Sequence, residues 1–315
     1  MGCEIGGYLE MERFTGPMLH EEALALSSGR ACLAYLIRQK KIRRMALPDF
    51  ICDAVTETCR AFGVETSSYR VGMDLRPESV DPDPDEWLYL VNYYGQLTEE
   101  EIRLRAEKHP LLIADNAHAY FDRPVRGVDT LYTCRKFFGV ADGGFLYTDA
   151  PDCKLERDES HMRMGFVLGR FERPAGEFFA EAARNNDALS AQPRMMSALT
   201  GNLLHGVDYE HVRAARTENY RMLDEALGAY NRLSVRPVEG AYAYPLMLEN
   251  GPVVREKLIA RKIFVPQLWP NVLREQPTDS AASRLTREIL PLPCDQRYGQ
   301  REMETVIQAV CACLE

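Results

Sequence analysis

The segment YTCRKFFGVADGGFLYT places Lys136 between the end of a predicted strand and two phenylalanines, Phe137 and Phe138. An apolar setting and the adjacent cation Arg135 both disfavour the ammonium form, so the pKa of this lysine should fall. The neutral amine that results is a nucleophile that can form a Schiff base with a carbonyl compound. By this segment alone, a surface lysine in a loop is the favoured interpretation.

Asp115 ends the apolar run LLIAD, and ligand sites in parallel sheets lie at the carboxyl ends of strands. A carboxylate there can keep a pyridinium nitrogen protonated, although a helix cap or turn residue explains it equally well. His118 follows three residues later and could contact the hydroxyl or the face of such a ring. The alternative is an Asp/His metal pair, but no third ligand stands at a recognisable spacing, so no metal is predicted.

The run Ser27-Ser28-Gly29-Arg30 stands directly before a helical pattern over residues 31–38. Small residues that open a helix present free backbone N–H groups to a phosphate, and the helix dipole favours its charge. Ordinary helix capping by Ser-Gly is the alternative interpretation. The run matches neither a Walker loop nor a Gly-x-Gly-x-x-Gly fingerprint, which gives nucleotide binding little support.

The three signals occur in the order phosphate loop, Asp115, and then Lys136, which resembles the fold type I enzymes that use pyridoxal 5'-phosphate (PLP). Thr133-Cys134-Arg135-Lys136 looks like their Ser/Thr-x-x-Lys pattern. The spacing from Lys136 to Asp142-Gly143-Gly144 resembles the Lys…Glu-Gly-Gly element of the DegT/DnrJ-type sugar aminotransferases. Ala114-Asp115-Asn116-Ala117-His118-Ala119 is similar to that family's Glu-Asp-Ala-Ala-Gln/His-Ala stretch.

Further similar segments lie on both sides of these motifs. They are Ser28-Gly29-Arg30-Ala31 (the family's Ser-Gly-Thr-Ala), Leu47-Pro48-Asp49-Phe50 (Pro-x-x-aromatic), Asn92-Tyr93-Tyr94-Gly95 (His-Leu-Tyr-Gly) and Leu292-Pro293-Cys294-Asp295 (Leu-Pro-x-Asp). The family's Tyr-Asn-Tyr-Arg segment, which often brings a neighbouring subunit toward the cofactor, is missing from residues 149–176. The tripeptide Asn219-Tyr220-Arg221 contains the same residue types as part of that segment, but it falls in a predicted long helix.

The resemblance implies a role for each matching residue. Lys136 would hold PLP as a Schiff base and act as the general acid and base, and Asp115 would stabilise the charge on the ring. Ser28, Gly29, Arg30 and Thr133 would anchor the phosphate, while Phe50 would stack on the ring and His118 would contact it. Tyr94 and Trp269 are candidates for substrate contact, although Trp269 in a Pro-rich loop is as readily structural.

The function that the resemblance implies is an aminotransferase. Its acceptor would be a keto-sugar, nucleotide-linked, in surface polysaccharide or lipid biosynthesis, with an amino donor and a homodimeric enzyme. Two alternatives stay open: another PLP enzyme, such as a lyase, a dehydratase or an amino-acid enzyme, and a PLP-fold protein that binds a ligand without turnover.

The elements that position these residues alternate along the chain. Strands are predicted over residues 45–48, 64–69, 87–93, 111–114, 128–133 and 145–148, and helices over 52–62, 98–109, 209–230 and 301–314. Strand–helix alternation predicts an α/β fold with a mostly parallel sheet flanked by helices, the fold type I architecture. We expect a large PLP-binding domain over residues 1–205, its N-terminal segment reaching toward the active site, and a smaller α+β domain over 206–315.

Composition narrows the class of protein. A net charge of -9 over 315 residues argues against a nucleic-acid partner, and no run approaches the roughly 18 apolar residues of a membrane span. The nine cysteines are scattered without a Cys-x-x-Cys pair, which indicates reduced thiols in a cytoplasmic protein.

Overall fold

A seven-stranded sheet forms the centre of the computed structural model, which describes residues 5–189 and 192–314. Its strands are β1 (Leu24–Leu26), β2 (Arg44–Pro48), β3 (Glu65–Tyr69), β4 (Trp87–Val91), β5 (Leu112–Asp115), β6 (Asp129–Thr133) and β7 (Gly144–Tyr147). They lie in the order β1-β7-β6-β5-β4-β2-β3. Only β7 runs against its neighbours, so the predicted mostly parallel sheet is confirmed.

Helices cover the sheet and build the second half of the chain. They are α1 (Gly29–Gln39), α2 (Asp53–Ala61), α3 (Glu99–Lys108), α4 (Gly165–Glu172), α5 (Phe179–Ala188), α6 (Ala198–Leu204), α7 (Tyr209–Leu227), α8 (Gly251–Ala260), α9 (Val272–Glu275), α10 (Ala281–Glu288) and α11 (Gln300–Cys311). None of those in the described ranges is long and apolar enough to cross a membrane.

The start of α3 shows how local sequence sets an element. Thr98 accepts a hydrogen bond from the Glu101 amide, and the Glu101 carboxylate accepts one from the Thr98 amide in return. Three glutamates in the first turn also suit the positive end of the helix dipole. The helix predicted over residues 98–109 is therefore confirmed, with His109 closing it.

Two expectations about element boundaries need correction. The strand predicted over residues 87–93 ends at Val91, because the backbone turns into a short 3-10 helix, Tyr93–Gly95. Tyr94 adopts the left-handed region there, with φ 53°. The α-helix predicted over residues 209–230 ends at Leu227, and a 3-10 turn, Gly228–Tyr230, follows it. Neither β1 nor the pair α4 and α5 was predicted.

A second, smaller sheet lies in the C-terminal third. Strands β8 (Tyr244–Met247) and β9 (Ile289–Leu292) pair antiparallel, and α7, α8 and α11 pack around them in a core of their own. The division into domains at residues 205 and 206 stays a prediction. For the site, the important feature is that β4, β5 and β6 are parallel, so their carboxyl ends share one edge of the sheet.

Candidate active site

Lys136 lies in the turn between β6 and β7. Amides of Phe137 and Phe138 donate to the Cys134 carbonyl, and the Cys134 amide donates to the Gly143 carbonyl, which closes the turn on itself. Gly143 has φ +115°, a backbone conformation that a residue with a side chain rarely adopts. The motif Asp142-Gly143-Gly144 therefore serves to present Lys136.

The environment of the Lys136 amine favours its neutral form. Desolvation and the adjacent Arg135 lower the pKa of Lys136, while the carboxyl of Asp115 and the thiol of Cys52 oppose this effect. Its Nζ lies 5.5 Å from the ring centroid of Tyr242. Within residues 5–189 and 192–314, Nζ has no hydrogen bond or ion pair, so the amine is available for chemistry.

Asp115 is held at the end of β5 by two hydrogen bonds. The Tyr89 hydroxyl donates to Oδ2 at 2.8 Å, and the Ala117 amide donates to Oδ1 at 2.8 Å. Burial raises the pKa of this carboxyl, and the charge of Lys136 lowers it again. The structure thus brings Asp115 and Lys136 into electrostatic contact, as the order of motifs predicts.

His118 lies in a group of aromatic rings beside this pair. It stacks on Tyr242 with ring centroids 4.4 Å apart, and on Trp269 at 5.8 Å. Its Nδ1 accepts from the Tyr94 amide at 3.4 Å, so the proton of the neutral ring lies on Nε2. Burial and the charge of Lys136 hold the pKa of His118 well below its usual range. Buried Nε2 has no acceptor in the described part of the chain.

The predicted phosphate loop opens α1. The Ser28 hydroxyl accepts from the Ala31 amide at 3.1 Å, which confirms the capping interpretation for this side chain. The amides of Gly29 and Arg30 occupy the first turn, where no helical carbonyl can pair with them. The Arg30 side chain points to α5, donating to the carbonyls of Asn186 and Leu189.

Thr133 lies next to this loop because β6 pairs with β7, and β7 packs against the loop. Its partner in the strand register is Gly144, and a Cβ built at Gly144 would lie 2.8 Å from the carbonyl carbon of Ser28. Glycine is therefore required for the loop to pack against these strands. Ser28, Gly29 and Thr133 form one corner of the site, next to the turn with Lys136.

Phe50 and Trp269 belong to the same aromatic group as His118. Phe50 is fully buried, with its ring centroid 5.0 Å from that of Trp269 and 5.1 Å from that of Tyr93. The predicted stacking of Phe50 on a cofactor ring, and of Trp269 on a sugar, stay predictions. Tyr94 is buried as well, and its hydroxyl has no partner in the described residues.

Three residues near Lys136 were missed as site residues. Tyr242 covers the amine but stands in no recognisable motif. The thiol of Cys52 and the amine of Lys136 influence each other's pKa, which places Cys52 beside the lysine. Arg135 was considered only as a neighbouring charge. Because Tyr242 and Cys52 reach Lys136 only through tertiary contacts, spacing along the chain gives no signal for them.

A cleft of about 760 Å³ opens in front of Lys136. The C-terminal third and α4 supply its other walls; among the residues that line it are Phe138, Phe166, Arg170, Tyr242, Phe264, Asp295, Arg297 and Tyr298. Arg216 ties the two sides together, since its guanidinium donates to the carbonyls of Phe137 and Ala241. Gln296 also donates to the Phe137 carbonyl, at 2.8 Å.

No metal centre is present among residues 5–189 and 192–314, because no three His, Cys, Asp or Glu side chains are grouped to hold an ion. All eight cysteines in these ranges are free thiols.

Comparison with solved structures defines the fold class. The sugar aminotransferase CalS13 from Micromonospora echinospora matches with a TM-score of 0.66 and 15% identity, over 92% of this chain and 87% of that chain. A DegT DnrJ EryC1 StrS aminotransferase from Brucella abortus matches with a TM-score of 0.62 and 15% identity, over 92% and 85% of the two chains. DesI, solved in the presence of its TDP-sugar product, matches at 0.62 and 18%, over 92% and 80%.

The chain therefore has the fold of these aminotransferases, and the predicted fold type I class is confirmed. No family model matches its sequence, and no curated protein matches it either.

Proposed function

We propose that this protein is a PLP-dependent aminotransferase. The observation that carries the proposal is the Lys136 amine, held in a closed turn with a lowered pKa and without a partner, beside the buried carboxylate of Asp115. A lysine in this state is suited to covalent bonding with an aldehyde. The shared fold with sugar aminotransferases supports the same conclusion.

The residues around Lys136 fit the functional groups of PLP. Asp115 offers a carboxylate for a protonated ring nitrogen, and the unpaired Nε2–H of His118 offers a donor for the ring oxygen. The free amides of Gly29 and Arg30, at the positive end of α1, suit a phosphate, with Thr133 next to them. A carboxylate, a ring N–H and free helix amides thus lie around Lys136, and each has a counterpart on the cofactor.

The chain's own residues would perform the following steps. Lys136 Nζ would bind the cofactor covalently, release it to an amino donor, and then move the proton at the substrate carbon as general base and acid. Asp115 would hold the proton of the ring nitrogen. When bound, PLP supplies the electron sink for this proton transfer. Tyr242 and the aromatic walls of the cleft would keep water away from the amine.

The substrate that we propose is a keto-sugar, carried on a nucleotide, in a pathway to a surface polysaccharide or lipid. CalS13 is a sugar aminotransferase and DesI was solved in the presence of its TDP-sugar product, and the shared fold supports this substrate class. Aromatic side chains such as Phe166, Phe264 and Tyr298 line the cleft and suit the apolar face of a sugar or a base. Such reactions would take place in the cytoplasm.

We also propose that the enzyme is a homodimer. Large apolar side chains are exposed along the N-terminal segment, where Tyr8 is 98% exposed, and on α4 and α5, where Phe171 is 94% and Phe179 is 76% exposed. Exposed apolar side chains of this size support association through these segments. A closed two-fold dimer would cover it with a second copy of the same surface.

The test is the absorbance spectrum of the purified protein with added PLP. We expect a yellow band that borohydride bleaches, that Lys136→Ala abolishes and that Lys154→Ala, at an exposed lysine, leaves in place. Adding glutamate should convert the cofactor to its amine form and remove the band. A protein that stays colourless with PLP contradicts the proposal.

A further inference from the structure

Arg135, the residue directly before Lys136, belongs to a group of three arginines around the end of α5. Arg30 Nη2 donates to Asn186 Oδ1 at 2.9 Å, and Arg163 Nη1 donates to Asn185 Oδ1 at 3.1 Å. The charges of Arg30 and Arg163 both act on Arg135. Three cations therefore converge beside the turn that carries the reactive lysine.

The three arginines differ in how well they are paired. Arg30 donates to two backbone carbonyls as well as to Asn186, and Arg163 forms an ion pair with Asp158. Arg135 has one long hydrogen bond, 3.4 Å to Asn186 Oδ1, an oxygen that it shares with Arg30. It forms no ion pair with a described residue. Most of its five N–H donors thus have no partner among the described residues.

The environment of Arg135 favours an anion. Burial, together with the charges of Arg30 and Arg163, lowers the pKa of Arg135 to about 10 against the opposing charge of Asp142, so Arg135 stays a cation at neutral pH. A partly buried guanidinium among other cations is unfavourable unless a negative group joins it. In a chain with a net charge of -9, this concentration of positive charge stands out.

Arg135 also lines the cleft together with Lys136. Other arginines of the cleft are already engaged: Arg216 donates to backbone carbonyls, and Arg297 is paired with Asp295 at 2.7 Å. Arg170 lies on the exposed helix α4. Arg135 is therefore the unpaired guanidinium that stands next to the reactive amine.

We propose that Arg135 binds the carboxylate of an α-amino acid that serves as the amino donor, and so selects amino acids over simple amines. This inference rests on the proposed aminotransferase function and adds the residue that recognises the donor. Arg135 acts as a specificity-determining residue, because it contacts the donor away from the reacting atoms.

The chemistry of α-amino acids supports this assignment. Their amine and carboxylate are attached to the same carbon, so the carboxylate must lie close to Lys136 when the amine replaces that lysine on the cofactor. The guanidinium of Arg135 lies close enough to Lys136 for its charge to lower the pKa of that amine, and both residues line the cleft. Arg170 stands on a separate helix, α4. A planar guanidinium also matches a carboxylate with two parallel hydrogen bonds.

The experiment compares Arg135→Gln with the control Arg170→Gln, both loaded with PLP. Glutamate is added at increasing concentration, and the loss of the yellow band is followed. We expect Arg135→Gln to need on the order of tenfold to a hundredfold more glutamate, with the PLP dissociation constant changed less than about twofold. Arg135→Lys should recover part of the loss, and Arg170→Gln should behave like the wild type.

Several outcomes would overturn the inference. If Arg135→Gln loses affinity for PLP as strongly as it loses response to glutamate, the guanidinium serves the cofactor's phosphate. An unchanged glutamate dependence in Arg135→Gln is equally decisive against it. A thermal denaturation midpoint that falls far below that of the wild type for both Arg135 variants would assign Arg135 a structural role. Failure of the proposed function is recognised separately, because the wild type itself would then take up no PLP or would keep its yellow band with every α-amino acid.

Discussion

Lys136 and Asp115 balance each other's protonation. Burial disfavours the charged form of each, and the opposite charge of the partner favours it. As a result, the pKa of Lys136 is lowered even though the carboxylate of Asp115 lies near its amine. Since neither group is joined to the other by a direct ion pair in the described structure, both stay available for a ligand placed between them.

Asp115→Asn tests this balance through pH. Removing the carboxylate removes the charge that raises the pKa of Lys136, so this pKa should fall further and the neutral amine should prevail at lower pH. The rate of PLP uptake, measured as the growth of absorbance, should therefore begin to rise at a lower pH than in the wild type. The control is Asp122→Asn, at a half-buried carboxyl that accepts from Asn92 instead. A shift to higher pH would contradict the electrostatic role of Asp115.

At the level of residues, the sequence indicated Lys136, Asp115 and His118 correctly as neighbours. They follow strands whose carboxyl ends meet, and that follows from alternation and spacing. Tyr242 and Cys52 could not be found in this way, because they reach Lys136 from other parts of the chain. Their position depends on how the C-terminal third and the β2–α2 loop pack against the turn.

The turn between β6 and β7 is the element that sets the site. Because Gly144 has no side chain, the loop that contains Ser28 can pack against the β6–β7 pair. This one residue therefore sets the distance between the predicted phosphate loop and the turn that carries Lys136. Asp142 also stabilises this turn, and its carboxylate is buried. The carboxylate accepts hydrogen bonds from the Ser197 amide at 2.8 Å and from the hydroxyls of Ser197 and Thr200.

Gly144→Ala tests this packing. The added methyl would meet the Ser28 carbonyl at 2.8–3.0 Å and the Tyr132 oxygen at 2.9 Å, so the α1 loop must move away. We expect a loss of about 1–3 kcal/mol in the free energy of unfolding and weaker PLP binding. Thermal denaturation and PLP titration measure the two effects. Gly201→Ala is the control, since a Cβ there has no atom within 4 Å and sits in a helix.

Elements with a clear period or cap were predictable, and those fixed by packing were not. The apolar strands β4 and β5 and the capped helix α3 show their type in the sequence. Strand β1 has only three residues and exists because β7 pairs with it. Neither α4 nor α5 buries an apolar face, so the sequence has no amphipathic pattern that would predict these helices.

For the whole molecule, alternation along the first half was enough to predict the parallel sheet. The C-terminal third was harder to anticipate, because its two short strands are far apart in the chain and pair only across α8, α9 and α10. The cleft lies where this third meets the sheet, which explains why most of its wall was absent from the predicted site.

The proposed homodimer is tested at this scale. Phe171→Ser removes a fully exposed aromatic ring from α4, which should weaken self-association without affecting the core. We expect the dimer dissociation constant in sedimentation experiments to rise at least about tenfold, in line with the loss of a large interface side chain. Tyr230→Ser, on the C-terminal third, is the control. A wild type that sediments as a monomer at all concentrations would exclude the dimer.

The hydrogen bonds from Arg216 and Gln296 to the Phe137 carbonyl have a consequence for biosynthesis. A ribosome delivers the chain from its N-terminus, so the first sheet can assemble before these two residues emerge. Until then, Lys136 stands in a turn that lacks its donors and the ring of Tyr242. The complete environment of Lys136 therefore forms only after residue 296 has been synthesised, well after the last strand of the sheet, β7.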